Sequence, residues 1–321
     1  MQCIRPLKAS QNEEGDIVYR IKDAIKGLEP FTFNCRKCLP CRLNIAREKA
    51  IRCIHEAKMH ENTNGNMFLT LTYSEEHLES PRLQYEHFQK FMKDLRDRLN
   101  RSNDPNDYVS MMVTGEYGEE NKRPHWHALI FNYWPKDTKY LRKTDRGDKV
   151  FSSEFIDELW GKNDPQKKPN EIGFISMEAA GYVARYAAKK LVHGKDEEHD
   201  FHPVHKTSKK YAIGKSWLEK HYKYIFSNGY IVYPDGNQGP IPRYYQDWCK
   251  KNHFDLWFKF KTEVQPKFIK TLIERERREE NDYLSNMLSK KLRGYQVKTR
   301  KQIELTILNQ KFSQLQKRLK L

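Results

Sequence analysis

Two histidines one residue apart, His125 and His127, and two tyrosines one helical turn apart, Tyr182 and Tyr186, have the types and spacing to do chemistry. In an extended strand, side chains two apart point to one face. The imidazoles therefore project together, and Trp126 turns into the opposite layer. Paired imidazoles can chelate a divalent ion, as sheet-borne metal sites do. Glu116 sits at the end of the strand expected to pair with this one, close enough to supply a carboxylate. Two imidazoles and a carboxylate leave positions open for phosphate oxygens. An ion held there would polarise a phosphodiester for in-line displacement. Taken alone, a His-x-His pair is a weak signal, more often a surface pair than a ligand set.

The tyrosines strengthen it. Gly181-Tyr-Val-Ala-Arg-Tyr-Ala-Ala-Lys-Lys190, set on a helix, places Tyr182, Tyr186, Lys189 and His193 on one narrow face. Val183, Ala184, Ala187, Ala188 and Leu191 make the opposite face, which a core would take. A phenol on the polar stripe, beside a lysine and facing a metal-bound phosphate, is a plausible nucleophile. Its attack on DNA would give a phosphotyrosine linkage and release a 3′-hydroxyl, and a second tyrosine one turn away could make a second transfer. Arg123, Arg185 and Lys190 add cations for the phosphates. The plainer alternative is aromatic packing with a basic, phosphate-touching stripe.

A second cluster lies near the N-terminus. Cys35-x2-Cys38-x2-Cys41, with Cys3, could complete a tetrahedral thiolate zinc site. An iron–sulfur cluster or reduced thiols are the alternatives; the ferredoxin run needs a fourth Cys shortly afterwards, and position 45 is Ile. Cys53, within a helix, belongs to the core. His199, His202 and His205 fall in a charged, irregular stretch and read as a solvated loop. Gly214-Lys215-Ser216 resembles the end of a P-loop, but Lys209 stands where the first glycine belongs, so no nucleotide site is supported.

The bulk composition points to a partner. The chain has 321 residues, a net charge of +16 and a pI of about 9.4. An enzyme acting on small molecules has no need of that excess, whereas a phosphate backbone is drawn to it. Residues 281–321 carry ten Lys or Arg against two Asp or Glu. Charge reports affinity and not chemistry, so it indicates nucleic acid without separating an enzyme from a passive binder. No apolar run approaches the roughly 18 residues of a membrane span, and the first residues lack the apolar stretch of a signal peptide. The expectation is a chain that stays in the compartment where it is made.

The elements that must position these groups follow from periodicity. Residues 16–22 and 31–34 read as short strands of an irregular module, and Cys41 to His60 as a helix. Met67–Tyr73 is a strand, Tyr85–Leu99 an amphipathic helix and Tyr108–Gly115 a strand. Glu116 to Arg123 is a polar connection, and His125–Phe131 an antiparallel strand. Ser153–Trp160 is a helix, Ile172–Met177 a fourth strand and Ala179–His193 a helix. The order β-α-β-β-α-β predicts an α+β fold with a ferredoxin-like, split βαβ antiparallel sheet. Residues 194–215 read as a loop and Gly229–Tyr245 as a hairpin, with charged helices from Phe258 onward. Leu305, Leu308, Phe312, Leu315 and Leu319 form a two-heptad seam, which usually packs on its own domain although dimerisation is open. The expected divisions are 1–62 (Cys-rich module and helix), 63–230 (catalytic core) and 231–321 (hairpin and basic helices).

Phe68-Leu-Thr-Leu-Thr-Tyr73, Gly115-Glu-Tyr-Gly118, Arg123-Pro-His-Trp-His-Ala-Leu-Ile-Phe131 and Tyr182-Val-Ala-Arg-Tyr186 together resemble the motifs of the HUH endonucleases. Within them the chain closely resembles the replication initiators of gokushovirus-type microviruses, over roughly residues 1–230. The resemblance implies rolling-circle replication: nicking of single-stranded DNA at a viral origin, a covalent 5′-phosphotyrosyl intermediate, and rejoining of a unit-length circle. It implies Mg²⁺ or Mn²⁺ held by His125, His127 and an acidic residue, a role Glu116 fits by position. Tyr186, with Lys189 one turn on, is favoured as first nucleophile. It further implies work in the cytoplasm of a bacterial host, with unwinding and synthesis left to the host helicase and polymerase. A transposase or plasmid initiator of the same chemistry, or a non-catalytic zinc-stabilised single-strand binder, are the competing readings.

Overall fold

The computed structural model describes residues 3–13, 17–23, 25–27, 30–100, 107–118, 122–145, 147–189, 204–289 and 298–317. A small sheet opens the chain, in the order β2 (Ile17–Val18), β1 (Leu7–Gln11), β3 (Phe31–Phe33). The strand β1 was not expected from the sequence, because Leu7-Lys-Ala-Ser-Gln11 offers neither β-branched residues nor a clear alternation. Only β2 and β3 fall in the stretches read as strands, and Ile21–Asp23 is instead a 3₁₀ turn.

Helix α1 (Leu39–His60) starts two residues earlier than its periodicity indicated, since Pro40 in the first turn is pre-set for a helix start. It is followed by β4 (Asn66–Thr72), α2 (Tyr85–Leu99), β5 (Ser110–Tyr117) and β6 (Pro124–Phe131). Next come the edge hairpin β7 (Lys139–Lys143) and β8 (Lys149–Ser152), α3 (Glu154–Trp160), β9 (Glu171–Gly173) and α4 (Met177–Lys189). The remainder is β10 (Val204–Thr207), α5 (Lys215–Asn228), β11 (Ile231–Val232), β12 (Gln238–Gly239), α6 (Arg243–Asn252), α7 (Phe254–Lys259), α8 (Gln265–Ser289) and α9 (Arg300–Lys317). A π turn, Phe260–Val264, joins α7 to α8.

The main sheet has seven strands in the order β10-β5-β6-β4-β9-β8-β7, and every neighbouring pair is antiparallel. The inner order β5-β6-β4-β9 interleaves the two β-α-β units, as a split βαβ requires. One face packs on α2 and α3 through Leu69, Leu71, Phe88, Phe91, Trp126 and Ile156, all at most 1% exposed. The other face packs on α1, α4 and α5, where Ala50, Ile51, Leu129, Val183 and Phe226 are buried to the same degree. That second core also takes Ile241, Tyr245 and Phe260, so the C-terminal segment closes over α1. Cys53 is buried there, as expected.

Three readings need correction. Glu116 lies within β5 and not in a connection after it, because the strand continues to Tyr117 before the turn. The fourth strand ends at Gly173, and residues 174–176 lead directly into α4. The 194–215 stretch contains β10, which pairs with β5; His205 is therefore a half-buried strand residue bonded to Lys49 Nζ at 3.1 Å, not part of a solvated loop. His199 and His202 lie outside the described residues. Gly229–Tyr245 holds the small β11–β12 hairpin, turned at Asp235-Gly236, but its last residues already belong to α6. In the C-terminal seam Leu305 and Leu308 are half-buried on α9; Leu319 lies outside the described residues.

Candidate metal centre and active site

Strand register builds the site. In the β5–β6 pair Glu116 stands opposite His125 and Thr114 opposite His127, while β4 brings Thr72 and Thr70 to the same two histidines. All of these face the α1/α4 side. Gly115 opposes Trp126 on the other side, as the alternation predicted. One carboxylate oxygen of Glu116 receives three neighbours: His127 Nε2 at 2.9 Å, His125 Nε2 at 3.5 Å and the Tyr182 hydroxyl at 2.6 Å. The ligand atoms of Glu116, His125 and His127 lie within 4.8 Å of one another.

The rings are held from behind. His125 Nδ1 lies 3.2 Å from the Arg123 carbonyl, which can only accept, so that nitrogen carries the proton. In the neutral ring this leaves the Nε2 lone pair pointing at Glu116 and free for a cation. His127 Nδ1 meets Thr70 Oγ1 at 3.0 Å, and its ring lies parallel to Phe68 with centroids 5.6 Å apart. The Tyr182 ring stands edge-on to His127 at 5.2 Å. Burial pushes the Glu116 carboxyl up, but hydrogen bonds from His125, His127 and Tyr182 outweigh it and hold it below the usual carboxylate range. Burial lowers His127, against the pull of Glu116, and favours a neutral imidazole. A carboxylate beside two neutral imidazoles is a donor set suited to a divalent cation such as Mn²⁺ or Mg²⁺.

A cleft of about 720 Å³ opens over the histidines. Arg123 lines it, clamped by Glu75 and by the Tyr73 carbonyl at 2.9 Å from Nη2. Lys167 and Lys168 form its far rim, on a loop that sequence reasoning passed over. Their only signal was local charge in Gln166-Lys-Lys-Pro169, indistinguishable from any solvated loop. Thr70 was missed as well, since a threonine in a strand carries no chemical signal until its partner strand is known. Arg185 is exposed on α4. Tyr186 and Lys189 lie on α4, one and two turns beyond Tyr182, while Lys190 and His193 are outside the described residues.

The four cysteines also meet. Cys3 precedes β1, Cys35 follows β3, Cys38 caps α1 and Cys41 lies in its first turn; their sulfurs fall within 4.8 Å of one another. Cys3 and Cys38 Sγ are 3.7 Å apart. A tetrahedron of thiolates around an ion at about 2.3 Å has edges of about 3.8 Å, so the set fits a metal. The N–H of Cys38 donates to Cys35 Sγ, and that of Cys35 to Cys3 Sγ, each at 3.3 Å. The first of these bonds draws the Cys35 thiol down to about 6, whereas burial raises Cys41.

Fold and site together define an α+β protein whose central antiparallel strands carry a Glu/His/His cation-binding triad beside a tyrosine. The family model for the replication-associated protein ORF2 matches residues 66–191, the stretch that holds β4 to α4. Over all of both chains, 323 aligned residues, the sequence is 50% identical to Replication-associated protein VP4 of Bdellovibrio phage phiMH2K. It is 29% identical to Replication-associated protein ORF4 of Chlamydia phage 1, covering 69% of this chain and 54% of that one. Replication-associated protein ORF2 of Spiroplasma virus 4 is 28% identical over 60% of this chain and 62% of its own. The chain belongs to this family of phage replication-associated proteins. No solved structure matches it.

Proposed function

We propose that the chain is a replication initiation endonuclease of the HUH type, which nicks single-stranded DNA at the viral origin and later rejoins unit-length circles. The observation that carries this reading is the Tyr182 hydroxyl, 2.6 Å from the same Glu116 oxygen that His127 and His125 approach. A phenol has no reason to sit on a cation-binding carboxylate in a passive binder; beside a phosphate held there it is placed for attack. The phenol oxygen forms a bond to phosphorus and the P–O3′ bond breaks. The phenolic proton passes to the surroundings, and the leaving 3′-oxygen takes up a proton to become the 3′-hydroxyl. Glu116 accepts the hydroxyl's hydrogen bond and orients it. Arg123, Lys167 and Lys168 hold the flanking phosphates along the cleft. The bound divalent ion would supply charge stabilisation at the phosphate. Tyr186, one turn along the helix, would serve the second transfer, and which tyrosine attacks first is an outcome of the test.

The test uses an origin-containing single-stranded oligonucleotide, Mn²⁺ and denaturing gels. A covalent adduct is expected with the wild type, reduced in Tyr182→Phe or Tyr186→Phe, and absent in the double variant. An adduct that survives in the double variant sinks the tyrosine assignment. Persistent failure of the wild type to form one leaves the single-strand binder as the better reading.

The Cys3, Cys35, Cys38 and Cys41 cluster we assign to structural zinc. It would staple the small β1–β3 sheet to the start of α1, since that sheet has little core of its own: Leu7, Ile17 and Tyr19 are exposed. Cys38→Ser, or removal of metal by a chelator, is expected to make the chain cleavable by protease ahead of residue 39, with the main sheet left intact. Equal protease resistance with and without the chelator, in a protein free of metal by elemental analysis, would exclude a metal role for these thiols.

A further inference from the structure

A second cavity lies at the other end of the same strands. It is a groove of about 1310 Å³, running along α1 from Arg47 to Glu61, with Asn66 of β4 and Met177 of α4 in its wall. At one end Trp134 and Phe174 lie face to face, centroids 4.9 Å apart and planes 10° from parallel. Phe151 stands edge-on to both, at 5.6 Å and 80° in each case, and Trp134 Nε1 donates to Thr138 Oγ1. The pair is thus fixed before anything binds. Phe174 nevertheless remains 60% exposed. A large aromatic ring buttressed on its inner side and open on its outer side is a stacking platform waiting for one more flat ring.

We propose that this groove holds a segment of single-stranded DNA, with a base stacked on Phe174, apart from the cleft over the metal centre; it rests on the DNA-nicking reading above. Arg47, Lys58 and Arg275 supply cations along the groove. Of the three carboxylates in its wall, Asp235 is occupied by the N–H and side-chain amide of Asn237, leaving Glu61 and Glu178 against the three cations. The charge balance is therefore slightly positive, and stacking carries the main part of the contact. Such a contact is tolerant of sequence, since every base has a π-face. The site lies within reach of the cleavage centre. Thr70 lines the cleft and Asn66 the groove, four residues apart on β4, a separation of about 13 Å at about 3.3 Å per residue. About four nucleotides span that distance at about 3.4 Å each. A strand cut at the metal centre would stay tethered here, which suits an enzyme that must keep hold of one end until it rejoins it.

The experiment measures binding without catalysis. Fluorescently labelled oligothymidylates of about 6 and about 20 nucleotides, shorter and longer than a full single-strand site, are titrated in the absence of divalent metal. Phe174→Ala is expected to weaken binding of the longer oligonucleotide about tenfold, and Phe174→Tyr to restore it. Photocrosslinking of a bromodeoxyuridine oligonucleotide is expected to mark peptides containing Trp134 or Phe174. Phe174 is exposed, so its replacement should leave thermal unfolding unchanged. Wild-type binding that Phe174→Ala does not alter, with crosslinks confined to the cleft, overturns the proposal and leaves the groove to a protein segment. Absence of any binding by the wild type would instead count against the DNA-nicking reading itself.

Discussion

Glu116→Gln is expected to lower metal-dependent nicking by about 10²- to 10⁴-fold while leaving the chain folded. Charge stabilisation by a bound ion contributes several kcal/mol to phosphoryl transfer, and each 1.36 kcal/mol is about tenfold. The glutamine keeps the volume of a side chain that is only 5% exposed, so packing is preserved. Its carbonyl oxygen can still accept from the Tyr182 hydroxyl. The negative charge that two imidazoles and a cation need is gone, however, and the amide nitrogen turns a donor toward the site. Single-turnover cleavage of an origin oligonucleotide in Mn²⁺ measures the rate, titration calorimetry with Mn²⁺ measures the affinity, and thermal unfolding monitors the fold. Wild-type cleavage and undiminished Mn²⁺ affinity in this variant would remove Glu116 from the ligand set.

The site was legible in the sequence where strand and helix geometry are local. His125 and His127 had to share a face and Trp126 had to leave it, whatever the rest of the fold did. Tyr182 had to lie opposite Val183 and Ala184 on α4, and those two are indeed buried. The interleaved strand order likewise followed from the order of elements. What escaped depends on partners distant in the chain. The edge strand β7 shows five exposed residues, Lys139-Tyr-Leu-Arg-Lys143, so it has no buried face to leave a period-two trace. The strand β10 is four residues long and exists because β5 offers it hydrogen bonds, not because Val204-His-Lys-Thr207 favours a strand. The Arg123 clamp by Glu75 and the Tyr73 carbonyl joins residues about 50 apart. The Trp134–Phe174 platform joins two turns whose aromatics look unrelated in the sequence. Cys3 is the intermediate case: the chemistry of four thiols suggested it, but only the pairing of β1 with β3 carries it to Cys35.

Trp126→Ala is expected to destabilise the chain by about 3–5 kcal/mol, the usual range for emptying a fully buried aromatic site. Trp126 is 0% exposed, packs on Phe88 at 5.6 Å and Tyr85 at 6.1 Å, and donates to the Tyr73 hydroxyl at 3.0 Å. Its ring also explains the glycine opposite it. A Cβ at Gly115 would lie 2.5 Å from Trp126 Cζ3 and 2.8 Å from both Trp126 Cε3 and Leu83 Cδ2. Gly115→Ala should therefore cost about 1–3 kcal/mol by overpacking. In the Trp126→Ala background the methyl group enters the vacated space and Leu83 can shift, so the same substitution should become nearly neutral. Urea unfolding of the four proteins gives the coupling, expected at about 0.5–3 kcal/mol, provided the slopes match. Strictly additive costs would mean that the ring does not hold this register. The consequence reaches the chemistry, because Gly115 and Trp126 are the neighbours of Glu116 and His125 in the same strand pairs. The tight fit of an indole over a bare backbone on the buried face sets how closely the carboxylate and imidazoles approach on the other. Gly115→Ala should accordingly weaken Mn²⁺ binding as well as stability, although it touches no ligand.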